Sequence, residues 1–364
     1  MAISSLPTWV PFAGVGAVIV VATIVAFTTG GILDREFRVA FIGAGGELIM
    51  NDVPRVMEQI SEGKIKQNSC LHPKGSLSSV ALTGNGMYEQ WKTSRAQLST
   101  DEDNNIIYDF GACTLSQLMS GSDELLVEDN YNGAYYDDGR NPCFYDSSYL
   151  YYLQNALSSD SQVKWDFVVL SDKTKRMAFQ DTREDAIDSF ATNYVSLIKN
   201  SGAVPLIVDG HAFWSDNTNM TGLDDIATFT SLVYEGARQY QSSLAQQLPS
   251  SQKPRIAPVG LAYLAVYEED FDMWEKLFYE DGIHASVYGT YLTACVLYCT
   301  MTGHMPRAAA ANDVSTLFET ARAVSGAANG YPDEGEAGFL FNIAKKVARR
   351  GYRPKTLELY DSTN

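Results

Sequence analysis

Alternation constrains this chain more than any other feature. Four short apolar runs, Phe37–Gly43, Trp165–Leu170, Ala203–Val208 and Ile256–Leu264, are rich in β-branched and aromatic residues, and the first is stopped by glycine. Between them lie stretches of helical periodicity. Ile187, Phe190, Ala191, Tyr194, Val195 and Ile198 keep one apolar stripe that ends near Ser201-Gly202, and a second helical stretch covers about 223–248. Strands that alternate with helices predict a parallel sheet with helices on both faces, because a parallel crossover needs room for a helix. In such sheets ligands sit beyond the carboxyl ends of the strands. Those ends are Gly43–Gly46, Ser171–Lys175, Asp209–Trp214 and the segment ahead of Asp281.

The N-terminus is of another kind. Val10 to Gly31 holds no charged residue, and its core VGAVIVVATIVAF is strongly apolar. A run of about 20 apolar residues spans a bilayer core. The reading is a transmembrane anchor over 10–32 behind a short leader, 1–9, followed by an α/β domain over 33–305 and a C-terminal helical extension over 306–364. A cleaved signal peptide fits less well, since no Lys or Arg precedes the apolar run. The expected setting is a single-pass protein of a secretory or organellar membrane, with its soluble domain on the non-cytosolic side. Asn219-Met220-Thr221 supplies a glycosylation sequon.

The net charge of −17 argues against nucleic acid, which would want a basic stripe. No nucleotide fingerprint, P-loop or Cys/His metal spacing is present, so neither cofactor nor metal is expected. Of the five cysteines, Cys295 and Cys299 lie four apart on a helical stretch and read as core thiols. Cys70, Cys113 and Cys143 lie in loop-like regions, where one disulfide fits a lumenal domain. The stretch from Glu128 to Tyr152, crowded with Tyr, Asp, Asn and Gly, reads as a surface excursion. Lys345, Lys346, Arg349 and Arg350 cluster at a helix end, where cations suit the dipole.

Two local patterns carry chemistry. Phe37–Gly43, a glycine turn and a helix opened by Asn51-Asp52-Val53-Pro54 make a strand–turn–helix unit, a geometry that presents a nucleophile at the top of a sheet. Asp281 and His284, three residues apart before the apolar run Leu292–Met301, can act as an oriented general base.

Together these blocks resemble the SGNH (GDSL-like) hydrolases, serine esterases on a flavodoxin-like three-layer α/β/α sandwich. LFYEDGIHASVYGTYLTACVLYCTMTG resembles the family's last block, FRVAFIGAGGELIMNDVPRVMEQI its first, WDFVVLSDKT its third and KGSL its second. The resemblance implies His284 as base, Asp281 as its orienting acid, the Gly75 N–H as an oxyanion donor, and Ser171 or Asp172 where the family has an asparagine donor. It also implies a nucleophilic serine at position 45, where this chain has Gly45 between Ala44 and Gly46. Without an attacking oxygen the acyl-enzyme route is closed.

The leading expectation is therefore a membrane-anchored protein impaired as an enzyme, serving as a binding or accessory subunit of a membrane complex. The alternative is an active esterase on acylated carbohydrate or lipid that uses another nucleophile, with Ser69, Ser76, Ser78, Ser79 and Ser286 as candidates, or a water activated by His284. A third reading is an unrelated α/β binding module.

Overall fold

The computed structural model describes residues 35–44, 46–87, 99–100, 106–107, 112, 114–120, 164–213, 223, 225–307, 314–318 and 330–357. The apolar segment 10–32, Gly45, Cys113, Cys143, the Tyr-rich excursion and Asn219 lie outside them. No helix among the described residues is long and apolar enough to cross a membrane.

A five-stranded parallel sheet runs through the unit that begins at Phe37, in the order β2-β1-β5-β6-β7. Its strands are β1 (Phe37–Gly43), β2 (Ile65–Leu71), β5 (Phe167–Ser171), β6 (Val204–Val208) and β7 (Arg255–Ala257). A separate two-residue antiparallel ladder joins β3 (Ser99–Thr100) to β4 (Ile106–Ile107). In register, Val39 sits beside Phe167 and Phe167 beside Val204, so β1, β5 and β6 form the centre. Consecutive residues Val39, Ala40, Phe41 and Ile42 are all fully buried, which means that both faces of β1 are covered.

The expected strands at 37, 165 and 203 are present, and the α/β class is borne out. Two elements differ from expectation. β2 carries Lys66, Gln67 and Asn68, and its polar composition hid an edge strand. Of the apolar run Ile256–Leu264, only the start is strand. Pro258 has no N–H for a ladder and stands at the N-cap of α9 (Val259–Glu269), whose residues Val259 to Val266 are all buried. A run that is apolar on every side suits a helix buried all round as well as it suits a central strand.

The helices follow in chain order: α1 (Gly46–Ile49), α2 (Val53–Ile60), α3 (Leu77–Thr83), α4 (Leu115–Ser120), α5 (Thr174–Ala178), α6 (Gln180–Ser189), α7 (Val195–Ser201), α8 (Ile226–Gln247), then α9, α10 (Phe271–Lys276), α11 (Val287–Thr302) and α12 (Glu334–Ala344). One π-turn, Phe190–Tyr194, links α6 to α7, and Gly202 closes α7 at φ 78°, as its position in the sequence suggests. α11 packs on α2, α9 and α12, which brings the C-terminal helix into the same unit as the sheet. α8 packs on α5 and α6.

Cys70 lies on β2 as a free thiol, and burial pushes its pKa up to about 12. It is therefore a core residue and not the disulfide partner considered above. Cys295 and Cys299 are free and buried on α11.

The approach of α8 to α5 depends on the missing side chain of Gly236. A Cβ there would lie 2.2 Å from the Met177 carbonyl oxygen. Backbone cannot yield as a flexible side chain does, so Gly236→Ala is expected to destabilise the protein by about 1–3 kcal/mol. The midpoint of urea unfolding measures it.

Candidate functional site

The loop between α10 and α11 is built to hold one imidazole. Gly282 turns it at φ 66°, a conformation that suits glycine. Backbone bonds from Tyr279 N to His284 O (2.7 Å) and from Ser286 N to Leu277 O (2.8 Å) close it. The Ser286 hydroxyl donates to Lys276 O (2.5 Å) and accepts from Tyr288 N and Gly289 N, capping α11. Two side chains reach in from elsewhere. Asn51 Nδ2 donates to Ala285 O (3.1 Å) and to Thr290 Oγ1 (2.9 Å). His211 Nε2 donates to Ile283 O at 2.9 Å, since a carbonyl can only accept.

Asn51 thus holds the loop and does not cap α2. The N-cap is Asp52, whose side chain makes no capping bond, and both residues adopt left-handed backbone, at φ 58° and 54°. Asn and Asp tolerate that region better than most residues.

Asp281 and His284 meet as their spacing suggests. Asp281 Oδ2 lies 2.6 Å from His284 Nδ1, and Oδ1 accepts the backbone N–H groups of Ile283 (2.8 Å) and His284 (2.9 Å). Burial raises the Asp281 pKa, but these hydrogen bonds outweigh it and hold the carboxyl below its usual value. A carboxylate at Nδ1 fixes that nitrogen as the N–H donor and leaves Nε2 with a lone pair. The imidazole is 44 % exposed, and Nε2 has no hydrogen-bond partner among the described residues.

Gly46 packs against this ring, next to the expected position 45, which lies outside the described residues. A Cβ at Gly46 would lie 2.8 Å from His284 Cδ2 and 3.7 Å from Nε2.

His284 and Gly46 border a cavity of about 330 Å³ over the carboxyl edge of the sheet. Its apolar wall is Ile49, Met50, Pro73 and Phe213, and Lys173, Lys175 and Arg176 supply cations from the start of α5. Glu47, Thr174, His211 and Ile283 complete it. Glu47 is 3 % exposed, and Thr174 donates its hydroxyl to Glu47 Oε1. His211, 2 % exposed, stacks on Tyr263 at 4.5 Å between ring centroids. Burial lowers its pKa against the opposing pull of Glu47, so the neutral ring prevails. Glu47, Thr174 and His211 were not singled out from the sequence. All three follow strand ends already marked as site-forming, and that placement was the available signal.

The two expected oxyanion donors stand apart from this cavity. Gly75 N–H donates to His72 O at 3.1 Å within a turn, and Ser171 ends β5 without lining the cavity. Asp172 is a structural tie: its carboxylate accepts from Leu77 N (3.2 Å), Lys173 N (2.9 Å) and the Tyr240 hydroxyl (3.0 Å). Ser76 and Ser79 form a capping box on α3, and Ser78 lies 2.8 Å from the Ser76 hydroxyl. Among the described residues no serine lines the cavity, and its one hydroxyl is that of Thr174. No group of three or more His, Cys, Asp or Glu residues suited to a metal occurs among the described residues.

No family model matches the chain, and no curated protein does. Two solved structures are similar. A DUF4886 family protein from Bacteroides uniformis ATCC 8492 is 12% identical, with TM-score 0.48, over 89% of this chain and 99% of that one. A protein from Slackia heliotrinireducens, provisionally classed as an SGNH hydrolase, is 16% identical, with TM-score 0.40, over 72% of this chain and 97% of that one.

Behind the cavity, Asp209 is fully buried, with Oδ2 accepting from Leu261 N at 3.3 Å and Oδ1 unpartnered. Burial, reinforced by the Glu47 charge, holds its pKa well above the usual carboxylate value. A raised native pKa means that the folded state keeps its proton longer than the unfolded chain does. The resulting stability is complete below about pH 3.9, the unfolded value, and is lost as pH rises towards the native pKa. Asp209→Asn carries no such titration. Its stability relative to the unaltered protein is expected to climb as pH rises above about pH 4, read from urea midpoints at each pH.

Proposed function

We propose that this chain is an SGNH-like domain that has lost the serine route and uses the cavity beside His284 to bind a ligand. The supporting observation is the pairing of a fully oriented base with Gly46. The position facing the imidazole has no side chain, and the serines at Ser76, Ser79 and Ser286 spend their hydroxyls on helix caps. In a serine protease, removing one triad member costs up to roughly a million-fold in kcat, so a base alone leaves little acyl-transfer activity. The Asp281–His284 dyad then acts as a polar contact for a ligand, with Nε2 open to a donor. The apolar segment 10–32 places the domain at a membrane in this reading, as an accessory subunit of a membrane complex.

A second reading rests on the same dyad. An imidazole bonded through Nδ1 to Asp281, whose other oxygen accepts the backbone N–H groups of Ile283 and His284, is suited to activate a water held at Nε2. The ester would then be cleaved with no covalent intermediate.

The two readings separate experimentally. The full-length protein in detergent is expected to show no labelling by a fluorophosphonate probe and no His284-dependent hydrolysis of p-nitrophenyl acetate. Labelling lost on a Ser→Ala substitution or in Thr174→Val overturns the binding-protein reading and identifies the nucleophile. Hydrolysis without labelling that is abolished by His284→Ala selects the water mechanism.

A further inference from the structure

The cavity has a polarity that its own side chains leave unbalanced. At its buried end Glu47 receives a bond on one oxygen only. Oε2 is enclosed without a hydrogen-bond partner, and no ion pair among the described residues involves Glu47. Asp209 stands close behind, across Gly210, where a Cβ would lie 2.9 Å from Glu47 Oε1. His211 adds a third deficit: Nε2–H is committed to Ile283 O, which leaves Nδ1 a buried acceptor with no donor. Carboxylate and bare imidazole nitrogen thus gather with no cation between them. Buried polar groups are ordinarily paired, and unpaired ones of one kind mark a place where a complementary group belongs.

The opposite sign lies on the exposed side. Arg176 pairs with Asp185 at 3.1 Å, but Lys173 Nζ meets only the Lys74 carbonyl (3.0 Å) and Lys175 Nζ stands 5.2 Å over the Phe213 ring. Neither lysine has a carboxylate partner among the described residues. Ile49, Met50, Pro73 and Phe213 form the apolar wall between the two poles.

We propose that this cavity binds a small zwitterion, an α-amino acid with an apolar side chain. Its ammonium group sits against Glu47 Oε2, with His211 Nδ1 as a second acceptor. Its carboxylate faces Lys173 and Lys175, and its side chain lies on the Ile49–Met50–Phe213 wall. An ammonium group supplies both the positive charge and the N–H donors that the buried end lacks. A neutral polyol would supply donors but leave the lysines unmatched. A simple anion would match the lysines but leave Glu47 buried and bare. Because Oε2 is enclosed, entry requires the outer torsions of Glu47 to turn towards the cavity, whose volume of about 330 Å³ accommodates a ligand of that size. This inference rests on reading the cavity as a binding site, and it does not depend on the missing serine.

Isothermal titration of the full-length protein in detergent tests it with three near-isosteres: L-leucine, 2-hydroxy-4-methylpentanoate and 3-methylbutylamine. L-leucine is expected to bind at least tenfold more tightly than either the hydroxy acid or the amine. Glu47→Gln is expected to weaken L-leucine at least tenfold and leave the hydroxy acid unchanged. Lys175→Met is expected to weaken L-leucine and the hydroxy acid together and leave the amine unchanged. If Glu47→Gln fails to fold, as an altered melting curve would reveal, the three-ligand ranking and Lys175→Met still decide the matter. The proposal is overturned if L-leucine does not bind, if the hydroxy acid or the amine binds as well, or if both variants retain full affinity. Fluorophosphonate labelling reports on the loss of the serine route alone, so the two readings fail on different measurements.

Discussion

A parallel sheet covered on both faces has no place for polar side chains along its strands, and the remaining architecture follows from that constraint. Val39 to Ile42 and Phe167 to Leu170 are buried on successive residues, so neither alternate side can be ceded to water. Polar chemistry is expelled to the strand ends. At the carboxyl edge it collects from every central strand: Glu47 after β1, Asp172 and Thr174 after β5, Asp209 and His211 after β6. Some of these groups are spent on structure, as Asp172 is on Leu77, Lys173 and Tyr240. Those left over make the site.

The same constraint explains what could be read from residues alone. Strands buried on both sides declare themselves as continuous apolar runs, so β1, β5 and β6 were legible, and with them the class and the edge where chemistry sits. β2 pairs on one side only and tolerates Lys66, Gln67 and Asn68, so its pattern dissolved. Ile256–Leu264 failed for the opposite reason: an apolar run without polar punctuation fits a buried helix equally, and only Pro258 marks the change. The Asp281–His284 pair was legible because its interaction is local, three residues apart, whereas the contacts of His211 and Asn51 with the same loop come from far away in sequence.

The site also has a mechanical side. Gly46 and the His284 ring are in such close contact that the imidazole occupies the space a side chain would need. The ring cannot back away freely, because Asp281 holds it by Nδ1 and also holds the backbone N–H groups of Ile283 and His284. A side chain at position 46 would therefore have to displace the ring. Strained or unsatisfied groups gathered in one cleft, here Glu47, Asp209 and His211, cost stability where they stand, and such costs persist where they serve a function.

The two bonds of the Asn51 amide bear on how the molecule forms. Asn51 bonds to Thr290, 239 residues further along, and to Ala285, 234 residues along. Closing a loop of that length brings no reward until nearly the whole sheet is in place, so these bonds belong to the last stage of folding and not to its nucleus. On a ribosome the amide of Asn51 would wait, already emerged, for almost the entire chain to be made. The loop that carries the dyad is tied down only when the two ends of the fold have met, which makes those bonds a seal on a completed molecule.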